Sequence, residues 1–219
     1  MSVRKIPPNR RSLTGLVSSR RQGRMVASES SLERDFYILL DFDANVDKYV
    51  EQPVTVEYID AEGREHTYTP DVLVYYRDDI VPARGMKPIL CEIKYRQDLF
   101  ENWREYKPKI RAGRAYARAR GWRFRIITER EVRTPYLENA KFLRPYRSIE
   151  TDWEQTNLLL EQIRELREAD PESLLTAVTP DRWRQAEMLP TLWHLVAKKM
   201  IGVDLTERLT MHSRIFAKL

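Results

Sequence analysis

Two short apolar runs constrain this chain more than any other feature: "YTPDVLVYY" at residues 68–76 and "ILCEIKY" at residues 89–95. Both have strand length and strand composition, and the segment joining them carries Pro82, Gly85 and Pro88, as a loop should. Charged residues interrupt them at three places only. Asp71 follows Pro70 at the head of the first apolar stretch, and Glu92 and Lys94 punctuate the second. Because side chains alternate along a strand, Cys91, Ile93 and Tyr95 share one side and Leu90, Glu92 and Lys94 share the other.

A carboxylate and an ammonium on the same side, with Asp71 on a neighbouring strand, can build a site for a hard cation. Carboxylates bind magnesium, and a lysine can hold an attacking water or a phosphate oxyanion. Phosphodiester hydrolysis needs those parts. Zinc chemistry does not fit, since the chain has no close cluster of histidines and cysteines. An ordinary explanation stays open beside this one: acid, any residue, lysine is a common solvent-facing strand pattern, and Pro-Asp is a common turn dipeptide. Glu33 divides in the same way. Within Ser30-Ser31-Leu32-Glu33 it can close a capping box at a helix start, or it can be a third carboxylate carried on that helix.

The rest of the chain supplies elements to flank these strands. "SESSLERDFYILLDFD" reads as a helix with Leu32, Phe36, Leu39 and Leu40 on one face, and "KYVEQPVTVEYID" reads as extended. A long basic helix is expected over about 98–120, stopped by Gly121 and followed by the strand "WRFRIIT". Helix, strands, helix, strand is the order of an α/β sheet flanked by helices. Beyond about residue 147 the character changes. "DWEQTNLLLEQIRELREAD" is amphipathic, with Trp153, Leu160, Ile163 and Leu166 expected inward, Asp170-Pro171 starts another helix, Thr179-Pro180 repeats that signal, and Pro190 is expected to open the next helix. Two short strands within "IGVDLTERLTMHSRIF" would complete a small winged helix. The expected organisation is a flexible basic arm at 1–27, an α/β domain at 28–147 and a winged-helix-like domain at 148–219.

Charged residues make up 32% of the 219 and no run is apolar for long enough to span a bilayer, so no membrane role is expected. The single cysteine, Cys91, and the lack of a secretion signal fit a cytoplasmic protein. The net charge of +5 is unevenly spread. Arg20, Arg21 and Arg24 belong to an arm with no acid before Glu29, and Lys107, Lys109, Arg111 and Arg114 lie in the basic helix. These are the candidate contacts to nucleic acid, with a solvated helix face and an inert tail as the alternative. Trp103, Tyr106 and Trp122 are expected to pack that helix on the sheet.

"ESSLERDFYILLDFDANVDKYVEQP", "YTPDVLV" and "CEIKY", in that order and spacing, resemble TnsA, the endonuclease subunit of heteromeric transposases of Tn-seven-like elements, some of them CRISPR-associated. The C-terminal helices and "IGVDLTERLT" resemble the family's second domain. The resemblance implies a restriction-endonuclease-like mixed sheet flanked by helices, with Glu33, Asp71 and Glu92 as acidic metal ligands and Lys94 as the catalytic lysine. It implies magnesium as the cofactor, with manganese able to take its place. Its implied substrate is double-stranded DNA at transposon ends, cut at the 5′ ends at the bacterial nucleoid. Implied partners are a TnsB-like transposase, which cuts and joins the 3′ ends, and a TnsC-like ATPase. A stand-alone restriction or junction-resolving nuclease and an inactive DNA-binding adaptor are the alternatives.

Overall fold

The apolar runs become the two central strands of a mixed sheet. The structure, a computed structural model, describes residues 15–19, 22–60 and 62–218. Two compact units divide between Arg133 and Thr134, ahead of the change of sequence character near 147/148. In the first, the chain runs β1 (Gly15–Ser19), β2 (Arg24–Ser28), α1 (Ser31–Phe42), β3 (Val46–Glu51), β4 (Val56–Ile59), β5 (Glu65–Tyr68), β6 (Val72–Tyr76) and β7 (Ile89–Ile93). It continues through α2 (Arg96–Glu101), α3 (Trp103–Ala119), β8 (Arg123–Ile127) and α4 (Glu129–Val132).

Strand order in the main sheet is β3-β6-β7-β8, antiparallel except for the parallel pair β7–β8. A parallel neighbour needs a crossover, and α3 is the main helix of that connection. Every residue of β7 is buried, which explains why its sequence is nearly continuously apolar. Leu73 and Leu90, on adjacent strands, pack with Ala117 of α3, and Tyr75, Tyr116, Trp122 and Phe124 close around them. The segment expected to be extended throughout, at 48–60, is instead split. Gln52 takes a left-handed backbone (φ 43°), Pro53 follows, and β4 leaves to pair with β5 as a separate two-stranded ribbon.

Residues expected to belong to a flexible arm form an antiparallel hairpin, β1–β2, that packs on α1. Ser19 Oγ donates to Asp41 Oδ1 (2.8 Å), and Gln22 Nε2 donates to the Tyr49 carbonyl (2.7 Å). Residues 1–14, 20 and 21 lie outside the described residues. With the hairpin on it and β3 beside it, α1 buries Tyr37, Ile38 and Phe42 as well as Leu32 and Leu40, so its apolar surface is wider than one face.

The second unit contains α5 (Pro135–Leu143), α6 (Trp153–Leu166), β9 (Glu168–Ala169), α7 (Pro171–Val178), α8 (Arg182–Ala197), β10 (Ile201–Val203) and β11 (Ile215–Ala217). Asp152, Asp170 and Asp181 cap α6, α7 and α8 through bonds from the Gln155, Ser173 and Trp183 N–H groups. Strands β10, β11 and β9 form a small antiparallel sheet in that order. Two expectations fail here. Trp153 is 79% exposed and Leu166 is also exposed, because both sit at the ends of α6 while Leu159 and Ile163 in the middle fill the core. Pro190 does not open a helix but lies inside α8, where burial of Met188, Leu192, Leu195 and Val196 offsets the missing backbone bond.

Candidate active site

Asp71 is fixed by backbone on both sides where β6 begins. Its N–H donates to the Cys91 carbonyl (3.1 Å) and its carbonyl accepts from the Gln52 N–H (2.8 Å). The antiparallel register sets Val72 opposite Cys91, which brings the Ile93 N–H to Asp71 Oδ2 at 2.6 Å. One carboxylate oxygen is thereby held against the end of β7. The Lys94 N–H carries the parallel ladder on to the Ile127 carbonyl (3.1 Å).

Glu92 and Lys94 share a side, as strand alternation requires. The Lys94 ammonium lies 3.2 Å from Glu92 Oε1 and 3.7 Å from Asp71 Oδ2, and donates to the Ile93 carbonyl at 3.2 Å. A cationic centre therefore sits among two carboxylates and a carbonyl. Glu92 is 5% exposed and the Asp71 side chain 17%. Burial holds the Asp71 carboxyl well above the usual aspartate range, the Glu92 charge adds to that rise, and Lys94 opposes it. For Lys94, burial works against the charge, but Asp71 and Glu92 outweigh it and hold the ammonium above the ordinary lysine value.

Glu33 stands at the start of α1, 7% exposed. Its Oε1 accepts from Ser30 Oγ (3.0 Å), its Oε2 accepts from the Glu29 N–H (2.9 Å), and its own N–H donates to Ser30 Oγ (3.1 Å). Glu33 thus helps hold the helix start, although its carboxylate takes the Glu29 N–H in place of the Ser30 N–H that a full capping box would use. Burial raises the Glu33 carboxyl, those hydrogen bonds oppose the rise, and the Lys94 charge also lowers it. Glu33 is therefore an electrostatic neighbour of Lys94 and Asp71 as well as a helix-start residue.

Among the described residues no three histidine, cysteine, aspartate or glutamate side chains converge to enclose a metal. The donor set nevertheless suits a hard cation. Asp71, Glu92 and the Ile93 carbonyl offer oxygen ligands only, and already surround the positive charge of Lys94.

Three further residues support these groups and have no signal in the sequence beyond lying in or near the strands. Tyr68, at the end of β5, donates its hydroxyl to Glu92 Oε2 at 2.6 Å. The Tyr95 hydroxyl lies 2.9 Å from Ser31 Oγ, and the Arg133 guanidinium donates to both, at 2.8 and 3.0 Å. Arg133 Nε also lies 3.4 Å from Asp35 Oδ2. These contacts tie α1, which carries Glu33, to the residue after Lys94.

The candidate nucleic-acid contacts separate. Lys107, Arg111 and Arg114 are exposed on α3, and with Arg118 their spacing of four, three and four residues makes one helical face. Lys109 belongs elsewhere: it pairs with Glu105 (2.6 Å) and lies over the Tyr106 ring. Arg20 and Arg21 fall outside the described residues, and for Arg24 only the backbone, in β2, is described.

A family model described as TnsA-like endonuclease N terminal matches residues 43–129, and one described as TnsA endonuclease C terminal matches residues 131–205. No curated protein matches the chain.

Proposed function

The chain belongs to the TnsA-like endonuclease family, and from that premise we propose that it hydrolyses phosphodiester bonds at the 5′ ends of a transposon during cut-and-paste DNA transposition. Membership implies DNA and other transposase subunits as partners. The finer reading adds a TnsB-like transposase that cuts the 3′ ends and a TnsC-like ATPase that links both to the target. The observation that carries the catalytic reading is the Lys94 ammonium among Asp71, Glu92 and the Ile93 carbonyl.

Asp71, Glu92 and the Ile93 carbonyl would hold magnesium or manganese, with Glu33 as a third acid from α1. When bound, the cation supplies Lewis-acid polarisation of the phosphodiester and neutralises developing negative charge. Lys94, kept protonated by its two acids, has ammonium hydrogens to direct at a phosphate oxygen or the attacking water. Hydrolysis forms one phosphorus–oxygen bond to water as the bond to the leaving oxygen breaks in line. The exposed face of Lys107, Arg111, Arg114 and Arg118 would neutralise DNA phosphates. In the second unit, Leu192, Trp193, Leu195 and Val196 of α8 are buried, so this helix has little to offer base edges. A winged-helix-like domain that docks partner proteins is the role that fits it.

The experiment is strand-specific mapping of nicks on DNA bearing transposon ends, with magnesium and with the two partners present or omitted. Defined 5′ nicks that need the partners support the proposal. Cleavage without them would indicate a stand-alone nuclease, and no cleavage in any mixture an adaptor.

A further inference from the structure

Glu92 is held from two sides, and the two holds differ in kind. Its Oε1 faces the Lys94 ammonium at 3.2 Å, whereas its Oε2 accepts the Tyr68 hydroxyl at 2.6 Å. Tyr68 is itself buried, at the end of β5 in the separate β4–β5 ribbon. Nothing in the main-sheet hydrogen bonding requires a tyrosine at this position.

We propose that Tyr68 is a positioning residue for the metal centre: its hydroxyl pins Glu92 Oε2 so that Oε1 is presented beside Asp71 and the Ile93 carbonyl. The inference rests on the reading of Glu92 as a metal ligand. A neutral hydroxyl suits the task because it orients a carboxylate without cancelling its charge, which the cation needs. A carboxylate left free to rotate would have to be ordered at the moment of binding, and affinity would fall accordingly.

The packing behind Tyr68 shows how its ring is placed. Helix α3 carries Gly113 where β4–β5 and β8 approach it. A Cβ at that position would lie 2.6 Å from Phe124 Cε2, closer than such atoms tolerate, and 3.0 Å from Tyr68 Cε1, a tight contact that would press on the ring. Glycine at 113 therefore allows the ring to stand close enough to α3 for its hydroxyl to reach Glu92. The substitution that isolates the hydroxyl is Tyr68→Phe, which removes it and keeps the ring; Gly113→Ala would displace Phe124 first.

The test is Mn2+ binding to the full chain, read from the electron paramagnetic resonance signal of free Mn2+, together with the magnesium concentration that gives half-maximal cleavage. Tyr68→Phe should weaken Mn2+ binding about tenfold or more. Tyr68→Phe should also raise the half-maximal magnesium concentration by a similar factor, while leaving cleavage at saturating magnesium near wild type. A structural role alone would lower the folded fraction, monitored by circular dichroism, without that split. Unchanged Mn2+ affinity in Tyr68→Phe, with Asp71→Ala binding abolished, would overturn this inference and leave the metal site standing. Unchanged affinity in Asp71→Ala, or no uptake by the wild type, would overturn the metal-site reading and this inference with it.

Discussion

At the scale of the residue, Asp71 carries the site's main energetic tension. It is desolvated next to Glu92, and the rise in its pKa means that ionising it costs the folded state stability even though Lys94 is near. A carboxyl raised in the folded state binds its proton more tightly there, so the cost is complete above the raised value and absent below the ordinary 3.8. An asparagine side chain in its place would keep an acceptor for the Ile93 N–H without the charge. Asp71→Asn is therefore expected to raise the melting temperature of the metal-free protein by roughly a few degrees near neutral pH while removing cleavage. Melts of both proteins in chelator should show the gain shrinking as the pH falls towards about 4, since the unfolded aspartate titrates there. An equal gain at both pH values would show that the raised pKa is not its cause.

At the scale of the element, one side chain organises the long connection between β10 and β11. Asn139, buried on α5, donates to the Leu205 and Glu207 carbonyls (2.9 and 2.6 Å) and accepts from the Leu209 N–H (2.9 Å). Asn139→Ala removes three bonds at once and is expected to cost about 3 kcal/mol in chemical denaturation, with reduced hydrogen-exchange protection at the Leu209 amide. Neither this anchor nor Tyr68 is legible in the sequence, because each depends on which distant backbone or helix comes alongside. The sheet and the pairing of Glu92 with Lys94 are legible, since strand alternation is fixed by local geometry. Asp71 is legible as a candidate, but its bond from Ile93 depends on the β6–β7 register. The β1–β2 hairpin gives little signal because two of its buried residues, Ser19 and Ser28, are polar and read as loop in the sequence. Trp153 misleads for the opposite reason: it has the right period but stands in the first turn of α6, beyond the part that packs.

At the scale of the whole molecule, the chain is two units with separate cores. The first carries the acidic site and the basic face of α3, so DNA affinity should reside largely there. Arg111→Glu together with Arg114→Glu is expected to weaken duplex binding and to lower the slope of log affinity against log salt by about 2, one for each phosphate that is no longer neutralised. An unchanged slope would place those arginines away from DNA. None of the helices among the described residues is long and apolar enough to cross a membrane. The most direct test of the catalytic reading compares wild type and Asp71→Ala in a reconstituted transposition mixture, following complex assembly and 5′-strand cleavage in the same samples. Assembly should be retained and 5′ cleavage abolished with Asp71→Ala. Wild-type 5′ cleavage by a folded Asp71→Ala protein would contradict the assignment of this site as the nuclease centre.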